Sequence, residues 1–159
     1  MKIGVISDTH LSQGNDRLKK TIAKYFNDAH MILHAGDLVA LELLDAFEGK
    51  DVVAVVGNMD SQEVRNKLPE KQIVEAGGFK IGLIHGWGSP NGLEEKVAAS
   101  FQNVDCVVFG HSHRSFNKII DNVLLFNPGA FSSGFFSTRN SSIGLLNLGE
   151  KIEGEIITI

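Results

Sequence analysis

Five short segments of the chain end in residues that bind cations. They read Asp8-Thr9-His10, His34-Ala35-Gly36-Asp37, Gly57-Asn58-Met59-Asp60, His85-Gly86 and Gly110-His111-Ser112-His113. Of the six histidines, five (His10, His34, His85, His111, His113) fall in these segments and only His30 lies elsewhere. A lone loop histidine is ordinarily a surface residue, but five of them grouped with Asp8 and Asp37 need another explanation. Neutral imidazole and carboxylate suit Mn, Fe, Zn or Ni. No thiolate stands nearby to build a cysteine-rich structural zinc site. Two carboxylates, one amide and four imidazoles (Asp8, His10, Asp37, Asn58, His85, His111 and His113) are more than one ion takes. They suit two ions about 3.5–4 Å apart with one carboxylate between them. Without a cation, carboxylates gathered in a pocket are costly or change their pKa. The glycines before Asp37, Asn58 and His111 permit tight turns and close backbone approach.

The elements between these segments explain how they could meet. Residues 3–7, 31–34, 52–56 and 104–109 read as buried strands, and each runs into one of the five segments. Residues 15–28, 39–47 and 93–101 read as helices; Asn15 can cap the first, where Leu18, Ile22, Tyr25 and Phe26 recur at helical spacing. This βαβ rhythm predicts a mainly parallel sheet covered by helices. Three pairs of segments read as hairpins: 72–76 with 79–84 around Gly77-Gly78, 116–120 with 123–126 around Asp121-Asn122, and 142–148 with 152–159 around Gly149-Glu150. An α/β core with added hairpins predicts two sheets packed face to face with helices outside. In open α/β sheets, sites form beyond the carboxyl ends of strands, which is where the five segments fall.

The 159 residues fit one domain, 1–159, large enough to bury roughly 70% of its unfolded surface. A net charge of −4 argues against an extended nucleic-acid surface. The one cysteine, Cys106, allows no internal disulfide and reads as a buried core thiol. No signal-peptide pattern opens the chain and no apolar run approaches the ~20 residues of a membrane span, so the expected setting is cytoplasmic.

In this order the five blocks resemble the calcineurin-like metallophosphoesterase superfamily, whose pattern is D-x-H, G-D, G-N-H-[DE], H and G-H-x-H. The match spans residues 8–113. The short length, with Asn127-Pro128-Gly129 and then Arg139, is similar to the small bacterial and archaeal phosphodiesterase branch, itself similar to the retromer scaffold subunit of eukaryotes. The resemblance implies a four-layer fold, a two-sheet β-sandwich flanked by helices. It implies one ion on Asp8, His10, Asp37 and His113 and another on Asp37, Asn58, His85 and His111. Asp37 would bridge them, and Asp37, Asn58 and His111 would be central to catalysis. A hydroxide shared by the ions would attack phosphorus in line. Mn²⁺ is the first expectation, with Ni²⁺, Co²⁺, Fe²⁺ or Zn²⁺ the alternatives. The expected substrate is a small phosphodiester or nucleotide-like molecule, and a homo-oligomer is left open.

Three positions depart from the family pattern. Met59 replaces the histidine of G-N-H that in many relatives protonates the leaving group; small phosphodiesterases also carry a G-N-C-D variant. Trp87 stands where many relatives have the second histidine of H-G-H. Ala130 replaces the serine common after N-P-G. His34 reads as a structural neighbour of the site, with replacement proton donor as the alternative. Arg139 could grip a phosphate or lie in solvent. For Phe131, Phe135 and Phe136 the open roles are a lid, a subunit interface and core packing. The competing functions are a non-catalytic scaffold and a phosphomonoesterase.

Overall fold

The computed structural model describes residues 1–132 and 140–159. In chain order the elements are β1 (Lys2–Ile6), α1 (Asp16–Tyr25), β2 (Met31–His34), a 3₁₀ segment (Leu41–Phe47), β3 (Asp51–Ala54), α2 (Gln62–Lys67), β4 (Lys71–Ala76), β5 (Phe79–Ile84), α3 (Leu93–Ala98), β6 (Cys106–Val108), β7 (Phe116–Ile120), β8 (Val123–Asn127), β9 (Ser142–Leu148) and β10 (Ile152–Thr158). They build two five-stranded sheets, ordered β10-β9-β1-β2-β3 and β4-β5-β6-β8-β7.

Strand alternation gives each sheet two apolar faces, and the side chains sort accordingly. Ile3 and Val5 of β1 meet Leu83, Cys106, Val108 and Phe126 between the sheets. Ile6 and Ile32 point the other way, onto Leu18, Ile22 and Phe26 of the first helical layer. On the far side Leu93 and Val97 of α3 cover Val107, Phe109 and Leu125. Three apolar clusters between four layers make the expected sandwich, and each fully buried Leu, Ile or Phe contributes about 1.5–3 kcal/mol. Helix α1 starts where Asn15 accepts a hydrogen bond from the Leu18 amide at 2.9 Å. The hairpin turns Gly77-Gly78 and Asp121-Asn122 hold positive φ at both central residues, which matches the twist of the flanking strands. Burial raises the Cys106 thiol far above its ordinary pKa, so it stays neutral in the core.

The structure corrects three expectations. The sheets are mixed: each has two parallel and two antiparallel pairings, because β1 pairs with β2 on one side and with the C-terminal β9 on the other, and β5-β6-β8 is flanked by two hairpin partners. The helix expected over 39–47 forms as a 3₁₀ segment from Leu41, since Val39 is held at φ 84°, outside helical geometry. The reading also left out α2, a short helix capped by Ser61. Among the described residues no helix is long and apolar enough to cross a membrane.

Candidate metal centre

The loops after β1, β2, β3, β5 and β6 converge at one edge of the sandwich. The Asp8 amide donates to Gly36 O at 3.1 Å, the His10 amide to Asp37 O at 3.0 Å and the Gly110 amide to His85 O at 3.0 Å. In these loops Asp8, His10, Asp37, His111 and His113 stand at φ values between 48° and 66°, a region non-glycine residues rarely adopt. Such strain costs roughly 1–3 kcal/mol per residue and survives only where the surroundings enforce it. Close approach explains two glycines: a Cβ on Gly57 would overlap the Asp37 carboxylate, and one on Gly110 would overlap the Ser7 hydroxyl.

All seven expected ligand residues come together. Donor atoms of Asp8, His10, Asp37 and His113 lie within 4.8 Å of one another. A second group adjoins it: Asn58 Oδ1 is 3.2 Å from His85 Nε2 and 2.9 Å from His111 Nδ1. Asp37 joins the two, its Oδ2 lying 3.9 Å from His10 Nε2 and 3.4 Å from His85 Nε2.

The protonation pattern tests whether a cation fits. His85 Nδ1 lies 2.7 Å from Ala35 O, and His111 Nε2 lies 2.8 Å from Gly88 O. A carbonyl only accepts, so each of those nitrogens carries the proton and the lone pairs of His85 Nε2 and His111 Nδ1 face Asn58 Oδ1. With both rings neutral, acceptor would meet acceptor, an arrangement that a bound cation relieves. Asp8 Oδ1 gives the same answer. It is buried and accepts no aligned hydrogen bond among the described residues, although His113 Nε2 approaches to 3.1 Å. Its partner Oδ2 is satisfied by Ser7 Oγ at 2.6 Å and the His111 amide at 3.2 Å. Burial alone would raise Asp37, but the hydrogen bond and charge of His85 and the Met59 amide hold it below the usual carboxylate range. Burial would likewise lower His85; contact with Asp37 and the charge of Asp8 win and raise it. Close contact with Asp8 raises His113. Asp8 and Asp37 thus favour positive charge beside them, on the His85 and His113 rings. The residues present fit a divalent metal centre.

Arg65 went unnamed in the sequence reading, and the bracing roles of Asp60, Asn127 and the Met59 amide were not read from it. Asp60 accepts from the Val39 and Gly57 amides, both at 2.6 Å, tying the Asp37 loop to the Asn58 loop. Arg65 on α2 donates to the carbonyls of Gly57, Asn58 and Asp60 at 3.1, 2.7 and 3.1 Å. Asn127 braces the His111 loop through Gly110 O at 2.8 Å. The Met59 amide donates to Asp37 Oδ1 at 2.7 Å while its side chain is exposed. Phe131 is buried in the core under Arg17, whose guanidinium carbon lies 4.9 Å from the ring centre; Phe135, Phe136 and Arg139 lie outside the described residues.

His34 is fully buried. The Gly36 amide donates to its Nδ1 at 3.2 Å, so Nε2 carries the proton and donates to Thr9 Oγ1 at 3.1 Å. It packs and ties loops, and burial lowers its pKa to about 4. The unfolded chain, with a histidine near its ordinary 6.5, binds the proton that the folded chain refuses, so stability is full above about pH 6.5 and declines as pH falls toward 4. The decline attributable to His34 is about 3 kcal/mol across that window. Urea unfolding of chelator-treated protein at several pH values should show His34→Gln losing less stability than wild type on acidification. Parallel pH curves would contradict the assignment.

Comparison with known proteins supplies the context. The family model described as the calcineurin-like phosphoesterase superfamily domain matches residues 1–151. A probable metallophosphoesterase from Methanocaldococcus jannaschii is 36% identical, over 100% of this chain and 82% of that protein. Among solved structures, a novel archaeal phosphodiesterase superposes with a TM-score of 0.77 at 28% identity, over 100% of both chains. Vps29 from Entamoeba histolytica superposes at 0.74 with 23% identity, over 100% of this chain and 99% of that one, a likeness of fold alone.

Proposed function

We propose that this chain, which belongs to the calcineurin-like phosphoesterase superfamily, is a phosphodiesterase that works with two divalent metal ions. The observation that carries the reading is the meeting of two donor groups at one carboxylate, with Asp37 Oδ2 facing His10 on one side and His85 on the other. Asp8, His10, Asp37 and His113 would hold one ion, and Asp37, Asn58, His85 and His111 the other. When bound, the ions would acidify water toward neutral pH and draw charge from the phosphoryl oxygens. Mn²⁺ is the first choice, and Ni²⁺, Co²⁺, Fe²⁺ or Zn²⁺ match the same donors.

The chain's own residues set the stage. The Ala35 and Gly88 carbonyls fix the tautomers of His85 and His111, so each imidazole presents its lone pair inward. The Met59 amide and Asp60 fix the Asp37 and Asn58 loops relative to each other. The strained loop backbone is already in its working geometry, and positioning of this kind lowers the reorganisation that catalysis needs. The same proposal takes residues 1–159 as one metallophosphoesterase domain, cytoplasmic, acting on small phosphodiester or nucleotide-like substrates. The likeness of the archaeal phosphodiesterase supports the diester choice.

Met59 cannot donate a proton to a leaving group, and general acid catalysis is typically worth ~10²–10⁴-fold. The rate should therefore depend steeply on leaving-group pKa, with activated aryl diesters cleaved well and alkyl diesters poorly. A series of aryl and alkyl phosphodiesters measured with Mn²⁺ checks it. A flat series would remove the argument from Met59, whereas Met59→His should flatten the slope.

A further inference from the structure

Beside Asn58 and His85 the surface opens into a pocket of about 460 Å³, lined also by Trp87, Arg65, Glu70 and Lys71. That size falls in the range that takes small organic ligands, roughly 300–1,000 Å³. The unusual member is Trp87, the one tryptophan of the chain, left 51% exposed. It stands two residues after His85. One residue later, Gly88 offers its carbonyl to His111 Nε2 at 2.8 Å. The segment carrying the indole is thus pinned at both ends to the ligand residues, so the indole belongs to the centre's own wall.

Val56 and Ile84 add apolar wall, and Arg65, Glu70, Lys71 and Ser100 supply polar groups. Lys71 Nζ donates to Ser100 O at 2.9 Å, and Arg65 is committed to three backbone carbonyls yet still lends its charge to the pocket. Glu70 offers acceptors. A plain phenyl group would use only the aromatic face. A nucleobase uses the face for stacking and its edge for donors and acceptors of the kind these side chains supply. A phosphodiester held by the seven donor residues has two ester arms, and the pocket opens directly from two of those residues.

We infer that this pocket is the subsite for a nucleoside arm of the substrate, its base stacked on Trp87. The inference deepens the phosphodiesterase reading and rests on it. Stacking of a base on an aromatic side chain is worth roughly 5- to 150-fold in binding. Thymidine 5′-(para-nitrophenyl) phosphate and methyl para-nitrophenyl phosphate release the same leaving group and differ only in the retained arm. Wild type should prefer the thymidine diester in kcat/KM by roughly 5- to 150-fold. Trp87→Ala should bring that ratio near one, and Trp87→Phe should retain part of it. A wild-type ratio near one, or an unchanged ratio in Trp87→Ala, overturns the inference and leaves the phosphodiesterase reading standing.

Binding gives a readout free of turnover. Emission from the single tryptophan reports on Trp87 alone, so thymidine 5′-monophosphate should quench the Zn²⁺-loaded protein while ribose 5-phosphate, which lacks a base, should not. If wild type hydrolyses neither diester, the phosphodiesterase reading fails and the titration decides the subsite. Quenching by the nucleotide alone then sustains a nucleoside site, and equal or absent quenching overturns it.

Discussion

Asp37→Asn is expected to reduce metal content from two ions per chain to one or fewer and to lower kcat/KM for an aryl phosphodiester at least ~10³-fold, about 4 kcal/mol of transition-state stabilisation. The substitution preserves shape and changes one atom. Asp37 Oδ1 accepts the Met59 amide at 2.7 Å, so an asparagine would keep its carbonyl oxygen there and turn its NH₂ toward His10 and His85. That NH₂ donates where an ion needs a lone pair, and one of the two negative charges, on Asp8 and Asp37, is lost. Both donor groups share this carboxylate, so both should weaken. His85→Ala removes a donor from one group only and should cost about one ion. Elemental analysis of protein loaded with Mn²⁺ and stripped of excess ion distinguishes the cases. Two ions retained by Asp37→Asn would end the shared-carboxylate assignment. One ion or none in saturated wild type would end the two-ion reading.

What could be read from the sequence followed from how locally each feature is encoded. The five segments that carry the candidate ligands are short and each follows a strand, so residue type and order were enough to single out the residues from Asp8 to His113 that the fold brings together. Hairpin turns were equally legible, because Gly77-Gly78 and Asp121-Asn122 carry their conformational preference in two residues. Partner choice across the chain was not. Nothing local to β1 says that its second neighbour is β9, more than a hundred residues away, and this is why the sheets are mixed rather than mainly parallel. The role of His34 depends on burial, which a sequence does not show; two readings were open until its ring was found sealed between Thr9 and Gly36.

Arg65 escaped notice for another reason. It acts on backbone carbonyls, which every residue has, so no pairing with a complementary side chain marks it. It rides on a six-residue helix too short for a periodic pattern, and the available signals were Ser61 at the cap, Glu63 and Lys67 four apart, and Pro69 beyond the end. The left-handed backbone at Asp8, His10, Asp37, His111 and His113 was also illegible, since these residue types do not require it; the loops impose it through bonds between segments distant in sequence.

Asn58→Ala and His111→Ala separate an enzyme from a scaffold. The scaffold is the competing function raised by the sequence, and a scaffold needs only the surface that the fold presents. The two residues here are not surface ornaments. Asn58 Oδ1 lies between His85 Nε2 and His111 Nδ1, and His111 is oriented by Gly88 O. Removing either side chain deletes a donor from the group on the His85 side and frees a neighbouring imidazole to turn. Essential groups that stabilise a transition state contribute roughly 3 kcal/mol or more, so each variant should lose at least ~10²-fold in kcat/KM for an aryl phosphodiester. Circular dichroism should stay native, because both side chains lie on loops beyond β3 and β6 and neither belongs to an apolar cluster. Their backbone support persists as well: Arg65 holds the Asn58 carbonyl, and the His111 amide bonds Asp8, whatever the side chain. Full activity in both variants would remove these residues from the catalytic assignment. A wild-type protein that hydrolyses neither diesters nor monoesters with Mn²⁺, Ni²⁺, Co²⁺ or Zn²⁺ would move the scaffold to first place and turn the search to a protein partner.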